Sequence, residues 1–473
     1  MNRILVILEV SRKQDYIFGD RGMGLKEYIR RSRNISQATD SAFFQSCAAE
    51  FYREEENLVY FGGGHAVLQF DGREQAVAFT KAVTLEAMKR WWGMELFATQ
   101  MPYDPARTPG ENLEELGRKL ERKKAKRVSS FRQLSFGMEE LYPGASYRPM
   151  LKGADYGGKR EPLQEDPRYI RDFERLESGL VAVVHADGNA MGERIRQIYA
   201  QEKDWEACCA RMRRFSTQIR EDFEGAFRDT VEQLAAERGD PNEVPIRPIV
   251  LAGDDVCFVT DAKYGLECAR LFLEHLAGRE NMGRPYAACA GICIADKSVP
   301  FDLMYNRAEA LCSSAKRFGA EIDPMGGVSA MDWQVESQQI KGTLSEVRRG
   351  YETEDGARLE LRPVTVRVPP ELEERAMEVT GGLRTYRFFR ACCKNLKRTA
   401  VSRKKLFRLR SVMRQGEVET RFAVAMDKME ALYDCVPDGE RRLFAQIGER
   451  RRALLYDAME QSDMICFLGE VAQ

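Results

Sequence analysis

Histidine is nearly absent from this chain: three occur among 473 residues, at positions 65, 185 and 275. That scarcity removes histidine-cluster metal chemistry, and no serine–histidine constellation supports nucleophilic hydrolysis. His185 lies inside an apolar run and reads as a packed residue rather than a base. Twelve cysteines are scattered without a Cys-x-x-Cys pair, which excludes a zinc ribbon. Cys257, Cys289, Cys293 and Cys312 fall in apolar stretches, where reduced thiols serve as small core residues. Neither sign of charge is in excess: 73 Lys and Arg against 74 Asp and Glu leave a formal net charge of −1. Any nucleic-acid contact must therefore be local. Long hydrophobic runs are missing too. Met1–Val10 is apolar but broken by Glu9, too short for a signal peptide or a membrane span, and nothing elsewhere reaches spanning length. The expectation is a soluble cytoplasmic protein with no membrane partner, long enough for about three domains.

What is present centres on residues 246–260. Two short apolar runs, Ile249–Leu251 and Val256–Thr260, flank Ala252-Gly253-Asp254-Asp255. Such runs around a Gly-Asp pair predict strand, tight turn and strand, with two carboxylates at the hairpin tip. Adjacent carboxylates repel, and a divalent cation is the usual remedy. The plain alternative is a surface hairpin whose acids are turn chemistry only. Upstream, the β-branched run Leu180–Ala186 ends at Asp187, followed by Gly188, Asn189 and a helical stretch from Glu193. A strand ending in Asp187, laid beside a hairpin tipped by Asp254 and Asp255, would gather three carboxylates at one sheet edge. That set suits one or two magnesium ions facing a nucleoside triphosphate. Downstream, Tyr286–Ala295 predicts a further strand and Leu303–Phe318 a helix, with Lys316 near its end.

The first hundred residues repeat this grammar. Ile4–Val10 predicts a strand, Leu25–Arg53 a long helix, and Glu74–Trp91 a closing helix. Between them Leu58–Phe61 and Ala66–Phe70 predict a hairpin around Gly62-Gly63-Gly64-His65. Three glycines thus stand where the second copy carries Ala-Gly-Asp-Asp. Without an acid in its turn the first unit should not assemble a metal site. Bare glycine backbone can still come close to a phosphate or a nucleobase, the alternative being a plain flexible hairpin.

The order strand–Asp187, helices, Gly253-Asp254-Asp255 hairpin, helix, strand and Ala315-Lys316 helix resembles the palm shared by nucleotide cyclases and polymerases. It is most similar to the catalytic palm of the large subunit of type III CRISPR effector complexes, a family that makes cyclic oligoadenylates. That family carries Gly-Gly-Asp-Asp, and here Ala252 replaces the first Gly. Its Asp-Gly-Asp-Asn is here Asp187-Gly188-Asn189-Ala190, one accessory acid fewer, with the central trio kept. Gln14-x-Tyr16-Ile17-Phe18, Ser36 and Gly62–Gly64 resemble that subunit's first palm, whose Gly-Gly-Gly-Asn turn lends one of two nucleotide pockets; His65 stands at the Asn position. The resemblance implies an α+β fold of two ferredoxin-like palm domains plus a C-terminal helical domain. It implies Asp187, Asp254 and Asp255 as catalytic and metal-holding residues for Mg2+ or Mn2+, and ATP as substrate. Nucleotide contacts would come from Gly62, Gly63, Gly64, Ser36, Gly188, Asn189, Gly253 and Lys316. No His-Asp dipeptide occurs, so a compact version lacking the HD nuclease domain is expected. The nearest rival is a diguanylate-type cyclase, although Val256 replaces the Phe of its turn. A non-catalytic nucleotide- or RNA-binding scaffold of an effector complex is the other.

Read this way, the domains are a non-catalytic first palm (1–100), a basic insert (101–175), a catalytic second palm (176–334), a linker (335–370) and a helical C-terminal domain (371–473). Within the insert, Arg118–Arg127 holds seven Lys or Arg and one Glu, the pattern of a solvated helical face. Gly153–Lys159 has Walker A spacing, but Arg160 replaces the Ser/Thr and Pro162 follows where a helix should start, which excludes a phosphate loop. Leu383–Arg414 carries twelve Lys or Arg and no acid, interleaved with Tyr386, Phe388, Phe389 and Phe407. That run is either a face for RNA or effector subunits or a solvated helix whose aromatics fill the core.

Overall fold

In the computed structural model the described residues are 3–19, 24–91, 93–126, 165–173, 176, 178–336, 339–437 and 439–469. The Walker-like run 153–159 lies outside them. The chain divides into two compact units: residues 1–166 with 191–223 and 248–255, and residues 167–190 with 224–247 and 256–473.

The first unit opens with β1 (Ile4–Ser11), buried at every position but Glu9. An apolar run without alternation is a strand covered on both faces, so it takes the middle of a sheet. There follow α1 (Lys13–Phe18), α2 (Leu25–Gln37), α3 (Ser41–Ala48), α4 (Glu54–Asn57), β2 (Leu58–Gly62), β3 (His65–Phe70), α5 (Arg73–Arg90), β4 (Glu95–Pro102) and α6 (Pro109–Ala125). The sheet is antiparallel in the order β2-β3-β1-β4, a ferredoxin-like arrangement. Phe79 of α5 gathers Phe44, Tyr52 and Phe70 at ring separations between 4.9 and 5.8 Å.

Two expectations for this unit change. The helix predicted over Leu25–Arg53 is broken after Gln37, because Asp40 adopts an extended conformation and its carboxylate accepts from the Phe43 backbone N–H at 2.7 Å, restarting a helix. Residues 118–125 of the basic run belong to α6, which opens on a Thr108–Glu111 capping box. Its lysines are not simply solvated: Lys119 and Lys123 donate to the carbonyls of Gln100 and Ala98 in β4 (2.7 and 2.6 Å), and Lys124 pairs with Glu9 of β1 at 2.9 Å.

The chain continues with β5 (Leu180–Gly188), α7 (Met191–Gln201), α8 (Trp205–Arg238), β6 (Ile246–Ala252), β7 (Asp255–Asp261) and α9 (Ala262–Ala277). Next come the short pair β8 (Glu280–Asn281) and β9 (Arg284–Pro285), then β10 (Ala288–Asp296), α10 (Phe301–Ile322), β11 (Ser329–Val335), α11 (Leu344–Arg349) and β12 (Val364–Arg367). The larger sheet runs β12-β11-β10-β5-β7-β6. Its last four strands repeat the first sheet's order, β4-β1-β3-β2, so the internal repeat read from the sequence is present in the topology. Gly291 of β10 has no room for a side chain: a Cβ there would collide with the Ala308 carbonyl and the Cys312 amide of α10. That close approach seats α10 on β10. His185 is buried and packs edge-on to Tyr305 at 5.4 Å, a core role as expected.

The C-terminal region holds α12 (Glu373–Thr380), α13 (Tyr386–Arg398), α14 (Arg403–Val412), α15 (Glu417–Met426) and α16 (Tyr456–Gln461). It also contains a hairpin, β13 (Phe444–Ile447) with β14 (Arg450–Ala453), where the sequence pattern predicts helix throughout. Gly448, at φ +57°, makes that reversal. Much of the basic run 383–414 is interior. Tyr386, Phe388 and Phe389 are buried, and the Arg384 guanidinium lies 3.9 Å from the centre of the Phe318 ring. Burial, with Arg452 adding to it, pushes Arg384 down to about 9. Phe407, by contrast, is 73% exposed. No helix among the described residues is long and apolar enough to cross a membrane.

One carboxylate ties this region to the palm. Glu267 of α9 is fully buried and accepts from Arg270 (2.9 Å), from the Tyr386 hydroxyl (2.7 Å) and Arg390 Nε (2.9 Å) of α13, and from the Leu468 backbone N–H (3.1 Å). Removing one member of a buried, fully bonded ion cluster leaves uncompensated charge, typically costing about 3–5 kcal/mol. Glu267→Gln is expected to destabilise the second unit on that scale, read as an earlier urea-unfolding transition of the full chain. A loss below about 1 kcal/mol would show that the carboxylate is dispensable.

Candidate active site

The first unit brings together the two turns singled out in the sequence. Gly62 pairs with His65 across the β2–β3 hairpin, leaving Gly63 and Gly64 as a two-residue loop with φ +56° and +79°. Positive φ at both positions is the signature of a type I′ turn, which glycine adopts without steric cost. Gly64 is also sterically required, since a Cβ there would stand 2.6 Å from Ile35 Cγ2 of α2 and 3.2 Å from Lys13 Cε. Ser36 follows Ile35 in α2, and its carbonyl accepts from Thr39. The β2 edge is held by the start of α8: the Ser216 hydroxyl and the Arg213 guanidinium donate to the carbonyls of Phe61 and Leu58.

The second turn belongs to the same unit. β6 ends at Ala252 and β7 begins at Asp255, so Gly253 and Asp254 form the loop, with Gly253 at φ +71° and open space where a side chain would stand. Asp254 and Asp255 are both half-buried. A Cβ on Gly63 would lie 3.5 Å from the Ala252 carbonyl oxygen. The all-glycine turn therefore faces the acid-bearing turn across little more than van der Waals contact.

Asp187 lies in the second unit, near the end of β5, opposite Cys289 of β10. α10 crosses this ladder with Ala308 over Gly291 and the Cys312 thiol donating to the Cys289 carbonyl at 3.2 Å. Lys316 is the next residue on that face, four further on. Its ammonium pairs with Asp187 Oδ2 and donates to the Gly188 carbonyl at 3.1 Å. Asp187 holds the Lys316 ammonium charged, raising its pKa against the opposing effect of burial. Lys316, expected on a triphosphate, is thus found on Asp187, a pair 129 residues apart in sequence that the strand–helix pattern does not reveal. Asn189 is pinned inside the unit: its backbone N–H donates to Ala287 O and its Nδ2 to Val328 O, both at 2.9 Å.

Residues 180–321 match the Cas10/Cmr2 second palm domain family. No curated protein sequence matches the chain. Among solved structures it is similar to Csm1 from T. onnurineus (15% identity, TM-score 0.57), covering 98% of this chain and 67% of that one. It is also similar to a Csm1–Csm4 cassette in complex with pppApApA (15% identity, TM-score 0.56, 98% and 69% covered) and to one in complex with cA4 (16% identity, TM-score 0.53, 91% and 65% covered). This chain therefore spans about two thirds of the length of those three. At these identities the likeness establishes the fold.

The candidate donors in each unit are carboxylate and carbonyl oxygens, the chemistry of Mg2+ and Mn2+ rather than of a thiolate metal. Among the described residues, however, no group of three or more His, Cys, Asp or Glu side chains stands ready-made around a metal position. The Asp187 carboxylate is instead engaged by Lys316. Magnesium is commonly held by one or two carboxylates completed by substrate phosphates, so the donor types fit without a closed protein cage.

In the sequence His65 stands at the position of the family's Asn, with no further signal attached to it. In the fold it faces Glu9 across the β1–β3 ladder and lies 5.5 Å from the Tyr60 ring. Its Nε2 is shielded and has no hydrogen-bond partner among the described residues. Burial pushes the imidazole from 6.5 to about 4, with Lys13 and Lys124 helping and Glu9 opposing. The unfolded chain then takes up a proton near 6.5 that the folded chain refuses until about 4. Stability is lost as pH falls through that window and is unaffected above it. His65→Asn is expected to flatten this part of the profile, measured as melting temperature between pH 7 and pH 4. An unchanged slope would place the loss on other groups.

Proposed function

We propose that this chain is a divalent-metal-dependent nucleotidyltransferase that joins ATP into a cyclic oligoadenylate, with two unequal palms sharing one reaction. The observation that carries the reading is the opposition of an all-glycine turn to a turn bearing Asp254 and Asp255 within one unit. The Cas10/Cmr2 match of residues 180–321 supports the reaction class. So do the solved Csm1–Csm4 cassettes with pppApApA and with cA4, whose ligands are a linear adenylate and a cyclic one.

In this reading Asp187, Asp254 and Asp255 are the metal-holding carboxylates, as the resemblance implies. A bound magnesium or manganese ion would neutralise phosphate charge and lower the pKa of the attacking 3′-hydroxyl, so no protein general base is required. Gly63 and Gly64 let the backbone approach the second nucleotide and present it in line with the α-phosphate of the first, from which pyrophosphate leaves. Lys316 neutralises the triphosphate. The Asn189 N–H, already bonded to Ala287, shapes the loop after Asp187 instead of contacting phosphate. The solved Csm1–Csm4 cassettes, together with the exposed Phe407 in the outer part of the basic run, favour effector subunits as partners.

Asp254→Ala or Asp255→Ala is expected to lower triphosphate turnover at least about a hundredfold, the scale of lost transition-state charge stabilisation, in folded protein. Activity within a few-fold of wild type in the folded double variant refutes catalysis here. Gly63→Val adds a branched side chain where φ is +56° and the Ala252 carbonyl is close. It should leave one nucleotide bound and form little linked product. Normal linked product would reduce the first palm to a scaffold. Parallel incubations with labelled ATP and GTP, read by mass spectrometry, test the base; a purely guanine cyclic product moves the assignment to a diguanylate-type cyclase.

A further inference from the structure

We propose that Lys316 is a built-in counter-ion of Asp187 that a divalent metal must displace, so that metal arrival frees this lysine for the triphosphate. The inference rests on the reading of Asp187 as a metal ligand.

Three observations carry it. The Lys316 ammonium is on Asp187 Oδ2 itself, an oxygen that a metal would need, and not merely nearby. Its second hydrogen bond goes to the Gly188 carbonyl, so the ammonium is seated in a two-acceptor cradle at the end of β5. Both side chains remain about one third exposed, 33% for Lys316 and 37% for Asp187, so the pair is reachable and the ammonium has solvent-side room to leave. The base of the lysine is fixed by contrast, because Gly291 and Cys312 seat α10 on β10. Only the flexible four-carbon stem has to swing.

An ammonium and a divalent cation compete for the same oxygen lone pairs. The protein thereby keeps Asp187 neutralised before metal arrives. Afterwards it presents a cation whose nearest alternative partner is the phosphate brought in with the metal. Metal and nucleotide then strengthen each other's binding through one side chain, and by linkage the effect is reciprocal.

The test is Mn2+ titration of the full chain by electron paramagnetic resonance, without nucleotide, in wild type, Lys316→Met, Lys316→Arg and Asp187→Asn. Lys316→Met is expected to bind Mn2+ about fivefold more tightly, the scale of losing a partly exposed ion pair, and Lys316→Arg to stay near wild type. Nucleotide should then improve Mn2+ affinity less in Lys316→Met than in wild type. A second measurement needs no variant: mass spectrometry of amine acylation should show Lys316 protected in the metal-free protein and several-fold more reactive with Mg2+. Unchanged or weaker Mn2+ binding in Lys316→Met, or acylation indifferent to Mg2+, overturns the proposal. If Asp187→Asn weakens Mn2+ binding while Lys316→Met does nothing, only the counter-ion role fails. If Asp187→Asn leaves Mn2+ binding intact, the metal reading of Asp187 falls, and this proposal with it.

Discussion

A single buried carboxylate, Glu267, joins the helical C-terminal region to α9 by hydrogen bonds from both. Placing a charge in the interior is costly unless every lone pair is matched, and here α9 supplies the acid and its Arg270 while α13 supplies Tyr386 and Arg390. The Leu468 amide closes the shell, and Arg270 and Arg390 both return a hydrogen bond to the Leu468 carbonyl. Such a cluster favours specificity over gross stability: a misplaced α13 would leave two guanidinium groups and a carboxylate unpaired in low dielectric. The consequence reaches the basic run 383–414. Tyr386 and Arg390, counted in the sequence toward a nucleic-acid face, are committed to the interior by this one acceptor.

A second constraint is steric and is imposed by glycine. Gly291 lets α10 lie directly on β10, and every later residue on that helical face inherits its position from that contact. Cys312 meets the Cys289 carbonyl one turn on, and Lys316, a further turn on, reaches the strand beside β10 at Asp187. In the first unit Gly64 has the corresponding duty, keeping the β2–β3 turn tight against Ile35 of α2. Backbone approach at two glycines thus decides where a lysine and a bare turn end up, before any side chain chemistry is considered.

Both turns were legible in the sequence because a hairpin is a local object, with short apolar runs, two loop residues, and glycine where φ must be positive. The repeat was legible for the same reason, and the matching strand orders follow from it. What escaped has physical causes too. β4, with Glu95, Thr99 and Gln100 among its apolar residues, carries no clean alternation, and it is recognised only once β1 is known to need a partner on that side. The break after Gln37 depends on one capping carboxylate, Asp40, inside an otherwise helical composition. The C-terminal hairpin turns on Gly448 in a stretch whose arginines read equally well as a helix face. The Lys316–Asp187 pair could not be read at all, since it depends on the crossing of α10 over two strands.

The two turns that meet in the first unit differ in one respect that matters for chemistry. Both use glycine at a positive φ, so both can bring backbone close to a ligand, yet one continues into two carboxylates and the other into His65, which burial keeps uncharged down to about pH 4. A pair of acid-bearing turns facing each other would concentrate negative charge and, under the proposed function, repel an incoming polyphosphate. A pair of glycine turns would have nothing with which to hold a cation. Opposing one of each sets the acid-bearing turn against a turn without charge, so that acids do not repel each other across the contact. It also makes the repeat directional. Under the proposed function, a nucleotide held at one turn would be presented to the other in one sense only, because the copies are chemically unequal.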